Sequence, residues 1–164
     1  MTLKEHIDNL PKDKQFDIAI RLTKLALPIW DKYAEKNELT YRDTVVGLQH
    51  SVDRAILKNT IDAVEKYIST NIINKAIIKN TDLLSLSSQF SDPIVALQDL
   101  DWALPDEIEK TFYAVHTLLD SVLGKEKTVF NETTIYVTIN QAIDALVSSK
   151  TITQEEIRKI LYEN

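Results

Sequence analysis

Read as sequence, the chain predicts an all-α fold: a single domain over residues 1–164, a multi-helix bundle of about six or seven helices. Three observations carry that prediction. Glycine occurs only at Gly47 and Gly124, which leaves few places for the φ > 0 residues of tight β-hairpins. Apolar residues recur at three- and four-residue spacing along several long segments. Capping boxes, Thr2 with Glu5 and Thr153 with Glu156, mark helix starts near both ends of the sequence. A length of 164 residues suffices for a real core, and 44% hydrophobic with 27% charged residues exclude a disordered chain.

Taken in order, the Thr2 box opens a short helix that ends near Pro11. A second helix is expected over 13–36, with Phe16, Ile20 and Leu27 on one side and Ile18, Leu22 and Ile29 on the other. Pro28 lies inside it and predicts a kink or a break, because proline removes a hydrogen bond and crowds the Lys24 carbonyl. The stretch 41–68 reads as the central helix, started by Thr40 with Asp43. At about 100° per residue its apolar side chains form two faces, one with Val45, Leu48, Val52 and Ala55, the other with Val46, Leu57, Ile61 and Val64. So narrow a polar wedge predicts burial on most sides. Asn59 and Thr60 compete for backbone hydrogen bonds and predict an interruption.

Residues 68–78 are β-branched and fit a continued helix or a strand. The Ser, Thr and Asp of 80–91 predict a connector, after which Asp92 and Pro93 read as N-cap and first residue of a short helix to about Ala103. Pro105 opens an amphipathic helix with Ile108, Phe112, Val115, Leu119 and Val122 on one face, stopped by Gly124. Asn131 is the expected cap of a helix through Val147, although TTIYVTI (133–139) has strong β propensity. The Thr153 box starts a last helix over 154–162, with Ile152 and Ile157 spaced as a hydrophobic staple.

Charge is distributed unevenly. Residues 81–124 hold one basic residue, Lys110, against Asp82, Asp92, Asp99, Asp101, Asp106, Glu107, Glu109 and Asp120, a net −7 in a chain of net −6. Such a segment fits a solvated face or a docking surface for a basic protein partner. In the second reading the partner-binding residues are Asp99, Asp101, Trp102, Asp106, Glu107, Glu109 and Tyr113, carboxylates around aromatic anchors. No basic stripe interleaved with aromatics is present, which argues against nucleic acid.

Catalytic signals are sparse. Cysteine is absent, which excludes disulfides, thiolate metal sites and a cysteine nucleophile. No Gly-x-Ser-x-Gly occurs. His50, Asp53 and His116 form the alternative, a His/Asp metal site of a small helical enzyme. Against it, Glu-x-x-His is absent, and His50 projects beside Leu57 and Ile61 as a core histidine would. No cofactor is expected. The N-terminus lacks an apolar leader and no run is long enough to cross a bilayer, so the expected location is cytoplasmic, with no membrane partner.

The segments LALPIWDKY (25–33) and YRDTVVGLQHSVD (41–53) together resemble small all-helical bacterial proteins that include immunity proteins of toxin–immunity systems. The resemblance implies a binding protein that neutralises a toxin, and it assigns no individual residue. The function expected is therefore non-catalytic protein binding.

Overall fold

Among the described residues helix α2 (Lys12–Lys36) is the longest element, and Pro28 does not break it. The proline ring lies on the exposed side, while Leu22, Ala26 and Trp30 on the opposite side are fully buried. Burial of both halves against the same neighbours holds the turn that the missing N–H weakens. In the computed structural model the described residues are 1–74, 81–98, 103–125, 127, 128 and 130–163, without the side chains of 71–74 and 81. They form α1 (Leu3–Asp8), α2, strands β1 (Thr40–Arg42) and β2 (Gln49–Ser51), α3 (Ile56–Asn74), α4 (Thr81–Gln98), α5 (Asp106–Val122), α6 (Thr134–Ser148) and α7 (Gln154–Tyr162).

The centre is α5. It packs against α2, α3, α4 and α6, and α2 packs in turn on α3 and α6. Phe112 is buried between two other fully buried rings, with Trp30 of α2 at 5.4 Å and Phe90 of α4 at 5.2 Å between centroids. Trp30 also donates its indole Nε1–H to the Arg54 carbonyl at 2.9 Å, which fixes the chain just before α3. Of the face that predicts α5, Ile108, Phe112, Val115 and Leu119 are buried and Val122, in the last turn, is half-buried. Gly124 stops the helix with φ +88.

The expected central helix over 41–68 is not one helix. Its first third is an antiparallel hairpin in the register Thr40↔Ser51, Tyr41↔His50, Arg42↔Gln49. Helix α3 starts only at Ile56, where the Asp53 carboxylate accepts the Ala55 N–H (3.0 Å) and its carbonyl accepts the Ile56 N–H (3.0 Å). Asn59 and Thr60 do not interrupt α3, because the buried Thr60 hydroxyl donates to the Ile56 carbonyl at 2.7 Å. The same back-bonding satisfies Thr23 on Ala19 (2.9 Å), Thr111 on Glu107 (2.7 Å) and Thr138 on Thr134 (2.9 Å). Buried threonine therefore fits these helices without an unpaired hydroxyl.

The expected connector at 80–91 is also wrong. From Thr81 on it is helix α4, with Leu83, Phe90, Pro93 and Leu97 buried, and Asp92-Pro93 is interior rather than a start. Serines lower helix propensity but leave the three- and four-residue apolar spacing intact, and burial decides. The stretch 68–74 continues α3; residues 75–80 lie outside the described residues. Thr133, not Asn131, caps α6: its hydroxyl oxygen accepts the Tyr136 N–H at 3.3 Å, while Asn131 turns the chain with φ 62. Both capping boxes form as the sequence predicts. The helices they open, α1 and α7, meet where the His6 ring nitrogen Nε2 hydrogen-bonds the Leu161 carbonyl at 2.9 Å and the ring packs on Tyr162 at 4.3 Å.

If Phe112 is the hub, Phe112→Ala should cost about 3–5 kcal/mol, as deletion of a fully buried aromatic does. Val45→Ala, on an exposed loop, should stay within about 0.5 kcal/mol. Urea unfolding followed by circular dichroism checks both, and equal losses would contradict the assignment.

Candidate docking surface

The loop 43–48, DTVVGL, joins the two strands and is organised by one side chain. Oδ1 of Asp43 accepts the backbone N–H groups of Val45 (3.0 Å), Val46 (2.6 Å) and Gly47 (3.1 Å). Oδ2 accepts the Leu48 N–H (3.1 Å) and hydrogen-bonds His50 Nε2 (2.9 Å). The Asp43 N–H closes the loop on the Leu48 carbonyl at 3.0 Å. Gly47 supplies the left-handed residue, φ +71, that the turn requires. These bonds hold the Asp43 carboxyl well below its usual range, at about 2, with the Val46 N–H the largest cause and His50 next.

Because the loop takes its hydrogen bonds from Asp43, its apolar side chains are turned outward. Val45 is 89% exposed, Val46 68% and Leu48 62%. The loop is tied to α4 by the Thr44 hydroxyl, which donates to Asp92 Oδ1 at 3.1 Å. The half-buried Tyr41 below it has its phenol pushed up, first by burial and then by the charges of Asp92 and Asp43. An apolar tip thus stands beside the Asp92 carboxylate, on a helix whose sequence, Thr81–Gln98, contains no Lys or Arg.

The sequence-predicted residues fall in different places. Asp106, Glu107 and Glu109 occupy the first turn of α5, where carboxylates also suit the helix dipole. Asp106 is exposed; Glu107 and Glu109 are half-buried. Tyr113, one turn on, is half-buried, and burial followed by Glu109 raises its phenol. Glu107 lines a cleft with Lys32, Lys36 and Lys150, so it does not share a purely acidic surface. Asp99, Asp101 and Trp102 lie outside the described residues.

The histidines do not converge. His50 is an exposed hairpin residue bound to Asp43 and stacked on Tyr41 (5.5 Å), not a core histidine on a helix. Asp53 caps the approach to α3. His116 lies within α5, against Phe90 at 5.3 Å and 3.8 Å from Asp120; burial lowers its pKa more than Asp120 raises it. Among the described residues no group of three or more His, Asp or Glu side chains is arranged to hold a metal ion. Among them, too, no helix is long and apolar enough to cross a membrane.

Sequence reasoning missed Asp43 and the three exposed apolar residues. The available signal was Gly47, one of two glycines in the chain, four residues after an aspartate and inside an apolar run.

The depressed Asp43 pKa makes the loop acid-sensitive with a defined sign. Its stabilising effect is complete above the unfolded value of 3.8 and is lost as pH falls through about 2. Amide shifts of Val45–Leu48 should show an acid transition with a midpoint near 2; a midpoint at the ordinary carboxylate value would contradict the bonding described. Asp43→Asn should speed amide exchange at those four positions without changing the helical signal. No family model matches the chain, and neither does a curated protein or a solved structure.

Proposed function

We propose that the protein is a non-catalytic binding module that docks a basic protein partner, with the 43–48 loop as apolar anchor and neighbouring carboxylates as polar rim. The observation that carries this reading is the outward display of Val45, Val46 and Leu48 on a loop held by five bonds to the Asp43 carboxylate. Interfaces draw most of their energy from a few apolar residues that become buried inside a polar rim. A loop already fixed in one conformation loses little entropy on binding. Asp92 beside the loop and the acidity of 81–124 supply the charge complementarity that steers a basic partner and suppresses others.

An immunity-type inhibitor of a basic toxin, acting in the cytoplasm, is the specific form of this reading. It agrees with the resemblance carried by residues 25–33 and 41–53. Asp106, Glu109 and Tyr113 on α5 belong to the same acidic segment, 81–124, whose net charge disfavours nucleic acid.

Affinity capture from cells of the source organism tests the proposal. Wild-type protein should retain a basic partner, and Val46→Asp/Leu48→Asp should weaken its binding by roughly 30-fold, about 2 kcal/mol. Asp92→Asn, which keeps an acceptor for Thr44, should weaken binding at low salt and matter less as salt shortens the Debye length to roughly 8 Å or below. A partner held equally well by wild type and by the loop double variant would refute the docking role.

A further inference from the structure

A second feature, separate from the loop, is a cleft of about 560 Å³ where α2 and α6 end and α5 begins. Its charge is the reverse of the molecule's. Lys32 and Lys36, one turn apart on α2, and Lys150, just after α6, all line it. Among the described residues none of the three has a carboxylate within 4.0 Å, whereas Lys4, Lys24, Lys58 and Lys125 each have one. Glu107 is the single acidic lining residue, and it does not close on any of them.

Lys150 is held in place by its backbone. It has φ 56, its N–H donates to the Val147 carbonyl (3.1 Å), and the following Thr151 N–H donates to Leu146 (3.1 Å). Ser149 and Thr151 line the cleft beside it; the Ser149 hydroxyl donates to the Leu146 carbonyl (3.2 Å) and lies 2.6 Å from that of Thr151. The dipoles at the ends of α2 and α6 favour lysine there but do not neutralise it. Tyr33 and Ile29 provide an apolar wall, and the volume is in the range of small-molecule sites. Lysine recognises phosphate as a mobile point charge.

We propose that this cleft binds a small phosphate monoester, its phosphate held by Lys32, Lys36 and Lys150 and its organic body laid against Tyr33 and Ile29. Glu107 faces the bound phosphate and weakens it, which keeps affinity modest. The proposal does not depend on the docking role of the 43–48 loop.

Isothermal titration of the full chain with adenosine 5′-monophosphate tests it, with adenosine and inorganic phosphate as separate arms. The monophosphate should bind one to one with Kd of about 1 mM or tighter. Inorganic phosphate should compete more weakly, and adenosine should not bind. Lys36→Ala and Lys150→Ala should each weaken binding by roughly fivefold or more, and Glu107→Gln should tighten it, with melting temperatures nearly unchanged because these side chains sit at the surface. Absence of binding by both phosphate probes, adenosine binding as well as its phosphate, or binding indifferent to the Lys36→Ala/Lys150→Ala double variant would each overturn the proposal.

Discussion

The stacking of Trp30, Phe112 and Phe90 is the constraint on which the rest of the structure depends. Three fully buried rings from α2, α5 and α4 meet at centroid distances of 5.4 and 5.2 Å, and His116 adds a fourth ring at 5.3 Å from Phe90. Each such pair contributes about 0.5–1.5 kcal/mol beyond the area it buries. The geometry does more than the energy. Once Trp30 is seated, its indole N–H reaches the Arg54 carbonyl, so the approach to α3 is set by the ring that seats α5. With α2, α5 and α3 in place, the chain between α2 and α3 must turn back on itself, and the hairpin is that turn.

That frame explains how an apolar loop survives in water. A run such as Val45-Val46-Gly47-Leu48 would ordinarily bury itself, but its backbone is already satisfied by Asp43 and its base is tied to α4 through Thr44 and Asp92. Collapse inward would break those bonds and leave an anionic carboxylate unpartnered. The outward position of three side chains therefore follows from one carboxylate. The loop is short and polar at its base, so it offers an anchor without a broad apolar patch.

The fold class was legible because helix signals dominate most of the chain. Both capping boxes, the apolar face of α5 and the glycine after it are local features, and each survives into the structure. Two segments were not legible in the same way. Over 41–52 the apolar residues have helical spacing, yet an aspartate that captures four successive N–H groups outcompetes the helix, and periodicity does not register that competition. Over 80–91 the serines suggest a connector, but Leu83, Phe90 and, further along α4, Leu97 are spaced to reach the core, and packing overrides propensity. The candidate site inherits the first error. His50 and Val45 fit a buried helix by spacing yet lie on an exposed hairpin, while Asp43, the partner of Thr40 in the expected capping pair, organises the loop instead. The charge asymmetry was readable because it needs no geometry, whereas the lysine cleft was not, since it joins residues more than a hundred positions apart.

A double-mutant cycle on Trp30 and Phe112 tests the central claim most directly. Trp30→Leu, Phe112→Leu and the double variant would be unfolded in urea and the coupling energy extracted. Rings that jointly seat α2 on α5 should show a favourable coupling of about 0.5–1.5 kcal/mol, the double variant losing less than the sum of the single losses. Strict additivity would contradict the account, because the two rings would then stabilise the fold independently and the stack would not be its organising contact.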